Sequence, residues 1–73
     1  MRLDIKSTTK VVQLNGLPAR IWEGVNEQGI PLHCFITRIA VADEMDQALF
    51  EASLEKCDAP SVAVAAYPAR MVL

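Results

Sequence analysis

Apolar and polar positions alternate with a period of two through most of the first forty residues, and only after Asp43 do apolar residues return at helical spacing. Residues 8–14, Thr-Thr-Lys-Val-Val-Gln-Leu, are rich in β-branched types and end at Asn15-Gly16, a dipeptide suited to the positive φ of a tight hairpin turn. A second strand is predicted over Ala19–Val25, with Ala19, Ile21, Glu23 and Val25 on one face and Arg20, Trp22 and Gly24 on the other. Asn26-Glu27-Gln28-Gly29 gives another turn. Beyond Pro31, which lacks a donor and belongs at a strand start or edge, Leu32, Cys34 and Ile36 alternate with His33, Phe35 and Thr37.

Asp43 is placed to cap a helix running to Lys56 or Cys57, with Glu44 and Asp46 in the first turn where the helix dipole favours negative charge. Met45, Ala48, Leu49 and Ala52 share one side, and Phe50, Leu54 and Cys57 widen it enough to cover a sheet. Pro60 ends the helix by disfavouring helical geometry at Ala59. Ser61–Ala66 then alternates as a further strand, and Arg70–Leu73 gives a possible fifth. The expected fold is α+β: a small antiparallel sheet in the order β-β-β-α-β with one helix packed on one face. Residues 1–73 form a single domain in which residues 1–7 are expected to be flexible.

Composition supports an ordered domain: 52% of the residues are hydrophobic, 22% are charged and the net charge is −2, unlike the apolar-poor, highly charged balance of disordered chains. A chain of 73 residues buries only about 60% of the surface it exposes when unfolded. With only four aromatic residues and a mean hydropathy of +0.23, apolar area is expected to remain outside the core, where it marks an interface. A partner or a second copy, hence a homo-oligomer, is the first functional expectation.

The opening Met-Arg-Leu-Asp-Ile-Lys has no apolar core of a signal peptide, which gives a cytoplasmic, reducing compartment as the expectation and two buried thiols, Cys34 and Cys57, as the reading of the cysteines. No stretch reaches the roughly 20 apolar residues of a membrane span.

Candidate chemistry is sparse. His33-Cys34 has the residue types of a base and a thiol nucleophile, but neighbours on a strand point to opposite faces. The spacing of Cys34, Cys57 and His33 matches no metal pattern, and the isolated Gly16, Gly24 and Gly29 make no phosphate loop. The carboxylates Asp43, Glu44, Asp46, Glu51, Glu55 and Asp58 fall mostly on a solvent-facing helix stripe. Residues 1–38 carry five basic and three acidic groups, and residues 39–73 carry two and six. Arg2, Lys6, Lys10, Arg20 and Arg38, with Trp22 or Phe35 to stack, offer a nucleic-acid alternative, opposed by a pI of 5.2 and by the absence of any recognised binding motif.

The stretch Leu14-Asn-Gly-Leu-Pro-Ala-Arg-Ile-Trp-Glu-Gly24, followed by Gly29-Ile-Pro-Leu-His-Cys-Phe-Ile-Thr-Arg-Ile-Ala-Val41, resembles short proteins encoded by bacteriophages and prophages. The resemblance covers about half of the chain and carries no functional residue. It implies binding to host machinery such as RNA polymerase, nucleases or defence systems, and so a regulatory role in transcription. The reading is a non-enzymatic protein-interaction module without catalytic residues, cofactor or metal. Its expected contact surfaces are Lys10, Val11 and Val12 on the first strand, the Arg20/Trp22 face of the hairpin, and the acidic stripe Glu44, Glu51 and Glu55. The partner is a host protein or the chain itself.

Overall fold

Two turns organise the chain. The computed structural model describes all 73 residues, and in it Asn15 and Gly16 both take positive φ (51° and 82°), closing a tight hairpin between β1 (Leu3–Leu14) and β2 (Leu17–Asn26). At the second turn Asn26 Oδ1 accepts from the Gln28 and Ile30 amides (2.9 and 3.0 Å), Gly29 takes φ 77°, and the chain returns as β3 (Pro31–Ile36). Both hairpins are antiparallel, with Arg20 opposite Ile36, Trp22 opposite Cys34 and Glu23 opposite His33.

Three expectations are corrected here. β1 starts at Leu3 rather than Thr8, so the segment 1–7 is not a free tail: Leu3–Ser7 pair with Asn26–Trp22. The early start escapes the alternation rule because the strand carries an irregularity between Ser7 and Val11, opposite Trp22–Arg20, which breaks the period of two. Ser61–Ala66 is not a strand. The Ser61 hydroxyl caps α2 (Val62–Ala65) by accepting from the Val64 amide, and this local bond outweighs the strand preference of two valines. Finally, β4 (Arg70–Met71) runs parallel to β1, so the four-stranded sheet, ordered β3-β2-β1-β4, is mixed rather than purely antiparallel. The α+β class stands.

The core lies on the sheet face that carries Val12, Ala19 and Ile21, where α2 delivers Val64. Leu14, Phe35, Tyr67 and Met71 pack around these four fully buried residues. Burying an aliphatic side chain of this size is worth about 1.5–3 kcal/mol, so a four-residue α2 matters through Val64 rather than through its length.

The expected long helix is a 3-10 turn at Glu44–Asp46, capped by Asp43, followed by α1 (Gln47–Leu54). It lies on the sheet face opposite the core rather than over the core. None of its residues is fully buried, Met45 and Leu49 are 87% and 70% exposed, and the half-buried Phe50 and Leu54 line a groove with Arg20, Trp22 and Ile36 of the opposite sheet face. No helix is long and apolar enough to cross a membrane.

Candidate functional site

Arg20 and Trp22 stand two residues apart on β2 and so project from the same face, the one opposite the core. Ile36 and Cys34 flank them on β3. Phe50 and Leu54, one turn apart on α1, lean toward this corner from above. Arg20, Trp22, Ile36, Phe50 and Leu54, together with Thr37, Arg38 and Ile39, line an open groove of about 180 Å³.

The groove is tied together at its base. Arg20 Nη1 donates to the Thr8 carbonyl at 2.7 Å and approaches Cys57 Sγ at 3.5 Å, while the Cys57 thiol donates to the Leu54 carbonyl at 2.6 Å. One guanidinium nitrogen therefore links the irregular stretch of β1 to the end of α1. A guanidinium has five N–H donors, and the other nitrogens of Arg20 bond to no protein group. Arg38 is exposed on the rim.

The core face carries a polar row, Lys6, Glu23 and His33, placed side by side by the pairing of three strands. Glu23 Oε2 accepts from the Ser61 amide at 2.9 Å. That bond, then the Ser61 side chain, hold the Glu23 carboxyl below its ordinary pKa against an upward push from desolvation, with the charge of His33 adding the least. His33 Nδ1 and the Tyr67 hydroxyl are hydrogen-bonded at 2.9 Å, and Tyr67 sets its ring edge-to-face against both His33 and Phe35 (centroids 5.6 and 5.0 Å). A shallow cleft of about 250 Å³ beside Glu23 is lined by Lys6, Ser7, Thr8, Asp58, Ala59 and Ser61. Glu23 holds the start of α2 to the sheet and His33 holds its end. His33 and Cys34 fall on opposite faces, so imidazole and thiol do not meet. No three His, Cys, Asp or Glu side chains converge as metal ligands.

Of the residues singled out in the sequence, Arg20 and Trp22 are brought together in the groove. Val12 is 1% exposed in the core and offers no contact surface, a correction that follows from the shifted alternation of β1. Val11 is exposed, and Lys10 Nζ reaches the Ala65 carbonyl at 3.3 Å. Glu44, Glu51 and Glu55 are exposed but do not line the groove, and Glu51 accepts from Gln47 within α1. The basic groups of the nucleic-acid alternative are divided, with Lys6 on the core face and Arg20 on the other. Ile36, Ile39, Phe50 and Leu54 were not anticipated as site residues, and Arg38 was singled out only as one of the basic groups of the nucleic-acid alternative. The signal that could have found them is the shared parity of Arg20, Trp22 and Ile36 across a short turn.

Comparison with protein-family models, with curated proteins and with solved structures gives no match.

Proposed function

We propose that this chain is a non-enzymatic protein-interaction module whose groove takes a short apolar segment bearing carboxylates from a protein partner. The observation that carries this reading is a pocket with tryptophan, phenylalanine, leucine and isoleucine walls and two arginines, left open to solvent in a chain that buries only five residues fully. Trp and Arg are the residue types that most often dominate binding energy at protein interfaces. Size argues in the same direction: about 180 Å³ suits one or two side chains, whereas small-molecule sites run to about 300–1,000 Å³. The polar groups that could do chemistry on the other face, Glu23, His33 and Tyr67, are engaged in holding α2. The phage resemblance points to a host protein, RNA polymerase among them, as the source of the segment.

Trp22 is the only tryptophan, so its fluorescence reports the groove directly. Titration with a short peptide of alternating Leu and Glu is expected to give a saturable change in emission. The same peptide with Lys for Glu should give none, and Arg38→Glu should weaken the response, because Arg38 is exposed and carries no intramolecular bond. Equal responses to both peptides, or no response to either, would contradict the proposal.

A further inference from the structure

The outer edge of β3 shows which of its backbone groups are free. Asn26 N donates to the Ile30 carbonyl at 3.2 Å, and this pair lies in the same register as Gly24/Leu32, Trp22/Cys34 and Arg20/Ile36. Bonded and non-bonded pairs alternate along an antiparallel ladder, so Leu32, Cys34 and Ile36 turn their amides and carbonyls toward β2. Pro31, His33 and Phe35 turn theirs outward. Pro31 fits this assignment, because the N–H it lacks would have pointed away from the sheet. β3 is the terminal strand of the sheet, and no backbone hydrogen bond from a turn or loop reaches it.

Exposed sheet edges are normally blunted by charge, proline, bulges or a covering segment, and on β3 Pro31 removes one outward donor at the start of the strand only. The outer edge of β1 is occupied by Asp58 and then β4 along its second half, and its first half carries Asp4 and Lys6. β3, Pro-Leu-His-Cys-Phe-Ile, has no Asp, Glu, Lys or Arg, and the register against β2 is unbroken. Two copies of such a strand meet without like-charge repulsion. A domain this small also gains the most from burying further surface in an oligomer.

We infer that a second copy of this chain pairs with the free edge of β3, antiparallel about a two-fold axis at Cys34, giving one continuous eight-stranded sheet. The register follows from the backbone groups. A two-fold axis perpendicular to the sheet requires directly opposed residues to share a face, and setting His33 opposite Phe35 of the second copy engages the amides and carbonyls of both residues in both copies. The same register makes Cys34 its own opposite in a non-bonded pair. Cα atoms in such a pair are about 4.5 Å apart, within the roughly 4.4–6.8 Å that a disulfide spans. The axis leaves both grooves on the same side of the joined sheet. This pairing deepens the interaction reading and yet is tested apart from it.

Sedimentation equilibrium under reducing conditions should give twice the 8.0 kDa chain mass as concentration rises. Cys34→Glu, which sets two carboxylates against each other on the axis, should return the protein to one chain mass, while Cys34→Ser should not. Circular dichroism of each variant establishes that it is folded. In Cys57→Ser, diamide, which takes up the two protons and two electrons released by two thiols, should link chains through Cys34. In Cys34→Ser it should link few or none. A chain that remains monomeric throughout, or a dimer in which Cys57 links as readily as Cys34, would overturn the inference. A monomer that still binds the Leu/Glu peptide sinks only the pairing, and a dimer that ignores the peptide sinks only the groove.

Discussion

Thr8 is the one fully buried polar side chain, and its hydroxyl donates to the Ile21 carbonyl at 2.7 Å and accepts from the Lys10 amide at 3.2 Å. It replaces the ladder bonds that the irregularity in β1 removes. Thr8→Val should therefore lower stability by about 1–3 kcal/mol in denaturant unfolding, the cost of leaving buried partners unpaired. Gly24 is needed for a different reason: a Cβ there would meet the Asp4 carbonyl oxygen and lie 2.7 Å from Ile5 Cα, all backbone atoms that cannot swing aside. Gly24→Ala should cost about 1–3 kcal/mol by overpacking, seen as a lower thermal midpoint. Glu23 gives a pH dependence. Its folded pKa lies below its ordinary value near 4.5, so its contribution is present above that value and is lost as pH falls through the lower folded one. A melting series should show stability declining on acidification below about pH 4.5, and Glu23→Gln should flatten that decline. If the two curves run parallel, the Glu23–Ser61 contact is not responsible.

At the scale of elements, the hairpins were legible because Asn15-Gly16 and Asn26–Gly29 fix both turns, and because β2 and β3 keep strict alternation that sorts Trp22 from Ile21 and Cys34 from His33. The rest was hidden for identifiable reasons. Val62 and Val64 alternate with alanines in a way that suits strand or helix, and the contacts that accompany the helix, the Ser61 cap, the Glu23 bond to the Ser61 amide and the burial of Val64, lie outside that pattern. The apolar side of the segment formed by the 3-10 turn and α1 is wide enough to present either Met45 and Leu49 or Phe50 and Leu54 to the sheet, and periodicity alone does not choose. The structure chooses Phe50 and Leu54. Substituting Met45 and Leu49 together by Lys should consequently shift stability by no more than about 0.5 kcal/mol, whereas Ser61→Ala should cost about 0.5–2 kcal/mol through the lost cap of α2. A large loss from the Lys pair would mean that α1 sits differently on the sheet.

For the molecule as a whole, the small core and the open groove are two aspects of one arrangement. α2 spends the available cover on the Val12/Ile21 face, and α1 reaches only a corner of the other, leaving Trp22, beside Arg20 and opposite Cys34, half-covered. The groove could be located only once the register between β2 and β3 and the seat of α1 were known. If β3 edges pair, the joined sheet shows two grooves on one side, and a peptide carrying two Leu/Glu segments on a linker long enough to span them should bind at least about 100-fold more tightly than one segment. Equal affinities would show that the grooves are not engaged together. The most direct measurement of the central claim is amide chemical-shift mapping with the single Leu/Glu peptide. The expected shifts cluster at Arg20, Trp22, Ile36–Ile39, Phe50 and Leu54. Shifts centred on Val64 and Tyr67 on the core side, or none at saturating peptide, would contradict the groove as the place where this protein makes its contact.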